Sequence, residues 1–251
     1  MMGKAFLFVR SSLFAVAFYG ATALHVLAAL ALTPCGPRVL HRIIHHWSRT
    51  HRLLCRIMLG QKVRVVGTVP PGQHFYVLKH ESMFETIDLM QLVDAPVIVA
   101  KQELLDIPGW GRLAQRYGMI GLKRATGSAA LRHLKRQAKM ELATGRSICL
   151  FPEGTRVPHG ERPPLKAGFA AMYQLLGLSV VPVAIDSGRV SPRHSFLKHP
   201  GIITYHIGET IPTGLSRAEA EARAYAAINA LNPPLPVDAA PAPGGGHSQS
   251  A

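Results

Sequence analysis

The sequence predicts an α/β domain: a mostly parallel sheet flanked by helices, preceded by a membrane-anchoring helical segment. Three observations predict it. Short apolar runs rich in Val and Ile alternate with longer stretches of helical period, the pattern of a parallel sheet with crossover helices. An uninterrupted apolar run stands in front of that alternation. The charge is also asymmetric. The 251 residues carry 28 Lys/Arg and 14 Asp/Glu, and residues 1–80 hold ten of the former and none of the latter. An apolar fraction of 48% excludes a disordered or collagen-like chain.

Residues 11–32 contain no Lys, Arg, Asp or Glu. As a helix, 22 residues extend about 33 Å, enough to cross a hydrocarbon core. A cleaved signal peptide usually has an apolar region of only about 7–15 residues, so residues 1–36 are expected to be a retained membrane anchor. Residues 37–60 follow as a basic amphipathic helix. Leu40, Ile43, Ile44, Trp47, Leu54 and Met58 form one stripe, while Arg38, Arg42, Arg49, Arg52 and Arg56 lie largely elsewhere. Such a helix suits an anionic membrane surface or the flank of a folded body. Basic residues after the apolar run place the body on the cytoplasmic side, in a bacterial chain at the inner membrane.

The body is expected over residues 61–231. Strands are predicted at 63–66, 75–78, 97–100, 117–122, 147–151, 180–185 and 202–207. Helices are predicted at 85–93, 128–144 and 166–177, and a last helix opens at Ser216 with the capping box Ser216-x-x-Glu219. Residues 232–251, rich in Pro, Gly and Ala, are expected to form a disordered tail. Three cysteines without a CxxC fit a reducing compartment and argue against a disulfide framework or zinc site. His41, His45 and His46 have no carboxylate beside them in sequence, so no metal is expected there.

Three blocks carry chemistry, and each follows a predicted strand, where α/β sheets gather their sites. In Lys79-His80-Glu81-Ser82-Met83-Phe84-Glu85, His80 is the candidate general base. Its orienting partner is Glu85, provided His80 precedes the helix; Asp88 is a competing orienter. A capping box from Ser82 to Glu85 would produce the required fold-back, and Glu85 as a plain cap is the bland alternative. In Phe151-Pro152-Glu153-Gly154-Thr155-Arg156, a glycine turn offers backbone donors, Glu153 can accept from a hydroxyl, and Arg156 can grip a phosphate. In Gly121-Leu122-Lys123-Arg124, two cations suit an anionic substrate.

Taken together, the order and spacing of these blocks resemble the glycerolipid acyltransferase family, which includes the 1-acylglycerol-3-phosphate acyltransferases. The resemblance covers roughly residues 60–210. It rests on His80 to Glu85, Gly118 to Arg124, the intact Phe151–Arg156 motif and Val180–Ile185 around Pro182. Two departures stand out: Glu85 occupies the place of the family's Asp, and Gly121 that of a bulkier apolar residue. The resemblance implies acyl transfer from acyl-CoA or acyl-carrier protein to a lysophospholipid hydroxyl at a membrane, with no cofactor, no metal and no nucleic acid. His80 would deprotonate the acceptor and Glu85 would orient His80. Lys79, Lys123 and Arg124 would bind the acceptor phosphate, with Arg156 helping, and Glu153 would meet its glycerol part. Backbone N–H groups near Gly154 would serve the oxyanion. Acceptors such as a lyso-ornithine lipid or glycerol 3-phosphate remain open alternatives. So does a non-enzymatic membrane protein that binds anionic lipid or nucleic acid.

Overall fold

The computed structural model describes residues 3–122 and 128–234. It begins with an antiparallel helical hairpin. Helix α1 spans Lys4–Leu32 and α2 spans Pro37–Leu59. Between them Thr33-Pro34-Cys35 makes a tight 3-10 turn. Helix α2 opens on Pro37, whose missing N–H costs nothing in a first turn. It ends at Gly60 in the left-handed conformation, with the Gly60 N–H returned to the Cys55 carbonyl.

The hairpin is held along its length. The Arg10 guanidinium donates to the Met58 carbonyl at 2.8 Å, Trp47 Nε1 donates to Thr22 Oγ1 at 3.0 Å, and the His25 and His46 rings meet at 2.9 Å. Leu40, Cys55 and Leu59 of α2 are buried in the body's core. The basic helix is therefore a structural layer of the domain. Its apolar stripe covers the sheet, and Arg38, Arg42 and Arg49 stay exposed.

Seven strands follow: β1 Gln61–Val66, β2 Phe75–Leu78, β3 Val97–Lys101, β4 Ile120–Leu122, β5 Ile148–Leu150, β6 Val180–Ile185 and β7 Gly201–Ile207. They form one sheet in the order β1-β7-β6-β2-β5-β3-β4. Every pairing is parallel except that of β6 with β7. The central strand β2 is buried at all four positions, as a strand covered on both faces must be.

The alternation of side chains sorts the core into two layers. Tyr76, Leu78, Cys149, Val181 and Val183 pack toward α2. Phe75, Val77, Ile148, Leu150 and Val180 pack toward α6 (Ser128–Leu142), α7 (Gly168–Leu176) and α8 (Arg217–Ile228). Cys149 is fully buried, as its strand position implied. Helix α8 opens with the expected cap, Ser216 Oγ accepting from the Glu219 N–H.

Two local expectations shift. The helix predicted over residues 85–93 is a five-residue helix α3, Phe84–Asp88, followed by a 3-10 turn at Leu89–Gln91. The strand predicted from Tyr117 begins at Ile120, because α5 (Trp110–Tyr117) runs on to a left-handed Gly118. Gly121 leaves room for the Gln102 side chain of α4 (Gln102–Leu105), whose amide oxygen would lie 2.1 Å from a Cβ there. Residues 235–251, most of the expected tail, lie outside the described residues.

Asp88 is fully buried and paired with Arg52 of α2 through two 2.6 Å hydrogen bonds. This bidentate pair ties the hairpin to α3. Arg52→Leu should lower the unfolding free energy by about 2 kcal/mol, because Asp88 keeps its burial and loses its cation. Thermal unfolding in detergent measures the loss, and adding Asp88→Leu should recover part of it.

Candidate active site

Three loops meet at the carboxyl end of the sheet because the strands they leave are neighbours. β2 lies between β6 and β5. Lys79-His80-Glu81 leaves β2, Phe151–Arg156 leaves β5, and Asp186–Arg189 leaves β6.

His80 Nδ1 lies 2.9 Å from Glu85 Oε1. Glu85 has no exposed surface. Oε1 also accepts from the backbone N–H groups of Glu81 and Ser82, each at 2.7 Å. Oε2 accepts from Ser82 Oγ at 2.9 Å and Ser187 Oγ at 2.6 Å. Burial would lift this carboxyl, but His80, Ser187 and the Ser82 N–H outweigh it and hold Glu85 below its ordinary value. An ionised Glu85 accepts from a protonated Nδ1, which leaves the lone pair on Nε2. The ring stacks on Phe151 at 4.3 Å between centroids. The His80 side chain is 16% exposed, so the imidazole is fixed on two sides and open to a substrate. Asp88, committed to Arg52, is not its orienter.

The fold-back from Ser82 takes a different form from a capping box. Met83 is the N-cap and makes no side-chain cap. Glu85 still reaches back to the Ser82 N–H, while Ser82 Oγ accepts from Phe84 N–H at 2.9 Å. Glu85 therefore both closes the turn and orients the imidazole.

A family model described as Acyltransferase matches residues 62–186. A 1-acyl-sn-glycerol-3-phosphate acyltransferase of Pseudomonas aeruginosa is 31% identical over 190 residues, which cover 74% of this chain and 72% of that protein. The chain belongs to the glycerolipid acyltransferase family. The alpha form of Homo sapiens is 28% identical over 180 residues, covering 69% of this chain and 62% of the human one. The crystal structure of the lysophosphatidate acyltransferase PlsC of Thermotoga maritima shares the fold, with a TM-score of 0.67 at 21% identity, over 89% of this chain and 97% of that one.

Within this acyltransferase, Lys79 does not face the site. It is fully buried, and its ammonium donates to Glu153 Oε1 at 2.6 Å, the Glu161 carbonyl at 2.8 Å and Asn229 Oδ1 at 2.9 Å. An ammonium has three donors, and all are spent, so the expected phosphate contact gives way to a structural one. Glu153 is turned inward with it: Oε2 accepts from the His80 N–H at 2.9 Å. Burial lifts its carboxyl and Lys79 is the main opposing pull. The predicted glycerol contact is thus replaced by a brace behind His80.

Gly154 and Thr155 are exposed and Arg156 is half-buried. Gly154 takes the left-handed φ of 67° that suits glycine. Its N–H closes the turn onto the Phe151 carbonyl at 3.0 Å, so that N–H is not free for an oxyanion.

Lys123 and Arg124 lie outside the described residues. β4, which precedes them, is three strand positions from β2, roughly 14 Å at ordinary strand spacing.

The sequence reading missed Ser187, Phe151 as a ring platform, and the pairing of Glu81 with His159. Phe151 opens a recognised motif and could have been found. Ser187 follows β6 by two residues, and only the sheet order shows that its loop meets Glu85.

Two outcomes are expected. Lys79→Met should destabilise the fold by about 4 kcal/mol through an unpaired buried Glu153, seen as a lower melting temperature, with the acceptor KM of the folded enzyme little changed. Glu85→Asp restores the family's usual residue but draws the carboxylate back by about 1.5 Å. The shorter side chain cannot serve both His80 and Ser187, and kcat should fall about a hundredfold in steady-state assays.

Proposed function

We propose that this acyltransferase moves an acyl chain from acyl-CoA or acyl-carrier protein to the free hydroxyl of 1-acylglycerol 3-phosphate, forming phosphatidic acid. The observation that carries the chemistry is the His80–Glu85 pair, with Nδ1 held at 2.9 Å and Nε2 left as the base. Nε2 takes the acceptor's hydroxyl proton as the oxygen attacks the thioester carbonyl. Glu85 stabilises the imidazolium so formed. The intermediate collapses with loss of the thiolate, and the imidazolium supplies the proton that yields free thiol. No covalent acyl-enzyme is needed. The acceptor assignment is supported by the names of the relatives.

An apolar cavity of about 390 Å³ lies between the sheet and the α1–α2 hairpin, walled by Phe18, Trp47, Met83, Ile98, Leu113 and others. Met83 is three residues from His80, so we assign the cavity to an acyl chain. The hairpin supplies one wall of this space, so it is not enclosed by the α/β body alone.

Helix α1 is long and apolar enough to cross a membrane by length and composition. Its outer side exposes Phe6, Phe8, Val9, Leu13, Val16, Leu24 and Leu27. We infer that the hairpin lies in the interface. A perpendicular α1 would carry the exposed Arg42 and Arg49 of the paired α2 into hydrocarbon, at about 2.5–3.5 kcal/mol each. Lying flat, α1 buries its apolar face in the cytoplasmic leaflet and the arginines meet anionic headgroups.

The test is release of free thiol from both thioester donors against a panel of lysophosphatidate, glycerol 3-phosphate and a lyso-ornithine lipid. Turnover with lysophosphatidate is expected, and His80→Ala should lower kcat about a thousandfold. Near-normal turnover in that variant would sink the mechanism, and a clear preference for another acceptor would replace the substrate.

A further inference from the structure

A second histidine–carboxylate pair stands beside the first. Glu81 is fully buried, and its Oε1 lies 3.0 Å from His159 Nδ1. Its Oε2 accepts from the Gly188 N–H at 2.8 Å. A Cβ on Gly188 would come within 2.9 Å of Glu81 Oε2 and 3.3 Å of the His159 Cβ, so these groups are closely packed.

Each end of this contact leads to the catalytic pair. The Glu81 N–H donates to Glu85 Oε1. Gly188 adjoins Ser187, which donates to Glu85 Oε2. Two residues before His159, the Val157 N–H donates to the His80 carbonyl at 2.7 Å. The pair therefore joins the loops after β2, β5 and β6 at one buried point.

We propose that Glu81 and His159 form a neutral carboxylic acid–imidazole clamp that positions the catalytic pair without touching substrate. The inference rests on the acyltransfer reading above for its kinetic part alone. The acid form of Glu81 donates from Oε1 to Nδ1, and its other oxygen keeps the Gly188 N–H. The surroundings favour this neutral form. Burial is the largest influence on Glu81, with Glu85 and Asp186 adding to it and the Gly188 N–H and Lys79 opposing, so its carboxyl is pushed up to about 8. Burial also lowers the His159 imidazole, helped by Arg189 and Lys79 and opposed by Asp186. A charged Glu81 would set a second buried anion beside Glu85, where the catalytic carboxylate already takes the local donors.

The experiment compares the parent chain, Glu81→Leu, Glu81→Gln and His159→Leu, all full-length in detergent. Both leucine variants should lose about tenfold or more in kcat, since the loops they release carry reacting groups. The KM for donor and acceptor should stay within about twofold of the parent. Glu81→Gln should recover most of the lost kcat, because its amide accepts from Gly188 and donates to Nδ1. Melting temperature gives a readout independent of turnover. A carboxyl raised on folding contributes stability that is full below its unfolded value and is lost as pH rises through the folded one. The parent should therefore weaken relative to Glu81→Gln between about pH 5 and about pH 8.

A leucine variant that raises acceptor KM about tenfold at unchanged kcat would make the pair a substrate contact and overturn the proposal. So would a Glu81→Gln enzyme as poor as Glu81→Leu, or a melting difference from the parent that does not change with pH. Absence of thioester turnover in the parent would remove the acyltransfer reading, and the melting series would still decide the state of the clamp.

Discussion

An ionised carboxylate with no exposed surface, at the end of a parallel sheet, is the constraint on which this site depends. A buried charge is tolerable only when hydrogen-bonded on all sides. Glu85 obtains that from His80 Nδ1, the N–H groups of Glu81 and Ser82, and the hydroxyls of Ser82 and Ser187. Four of these donors come from its own loop. The fifth comes from the loop after β6, so β6 must lie next to β2, as it does. The same requirement explains why α3 starts at Phe84 rather than earlier. A regular turn at Glu81 and Ser82 would aim their N–H groups along the helix axis instead of at Glu85.

The neighbouring residues extend the same logic. Lys79, His80 and Glu81 are consecutive, and each engages an ionisable partner: Glu153, Glu85 and His159. Lys79 and Glu81 are buried; of the three, His80 alone is left partly open. The loop is thus fixed on both sides of His80, and Glu153 adds a direct bond to the His80 N–H. Preorganisation of this kind is what a general base needs, because a misplaced imidazole loses rate faster than affinity.

Most of the fold was legible in the sequence, for local reasons. Strands covered on both faces read as apolar runs, and chemistry-bearing residues followed them directly. The His80–Glu85 pair was legible too, because its members lie five residues apart in one turn. What escaped was direction and long-range partnership. Lys79 was read as a phosphate ligand because charge is visible and orientation is not. The period of two carried a correction: Val77 packs toward α7 and α8, and Lys79, two residues on, continues on that side to Asn229. Asp88 looked like a rival for His80 until Arg52, 36 residues earlier, claimed it. Ser187 and His159 enter the site from other loops, and no local pattern announces them.

The basic hairpin acquires a second role from these contacts. Its apolar stripe closes one face of the sheet and one wall of the cavity, while Arg52 grips Asp88 three residues beyond Glu85. On the proposed interfacial placement, the element that meets lipid is therefore joined through Arg52 and the buried Asp88 to the helix that carries Glu85. An acceptor drawn from the bilayer would pass residues of the hairpin before reaching His80. On the same placement, the absence of acidic residues before Glu81 would have a physical basis. A carboxylate on the hairpin would repel both the anionic surface and a phosphate-bearing acceptor, whereas Glu81, Glu85, Asp88 and Glu153 are kept in the body, buried and individually paired.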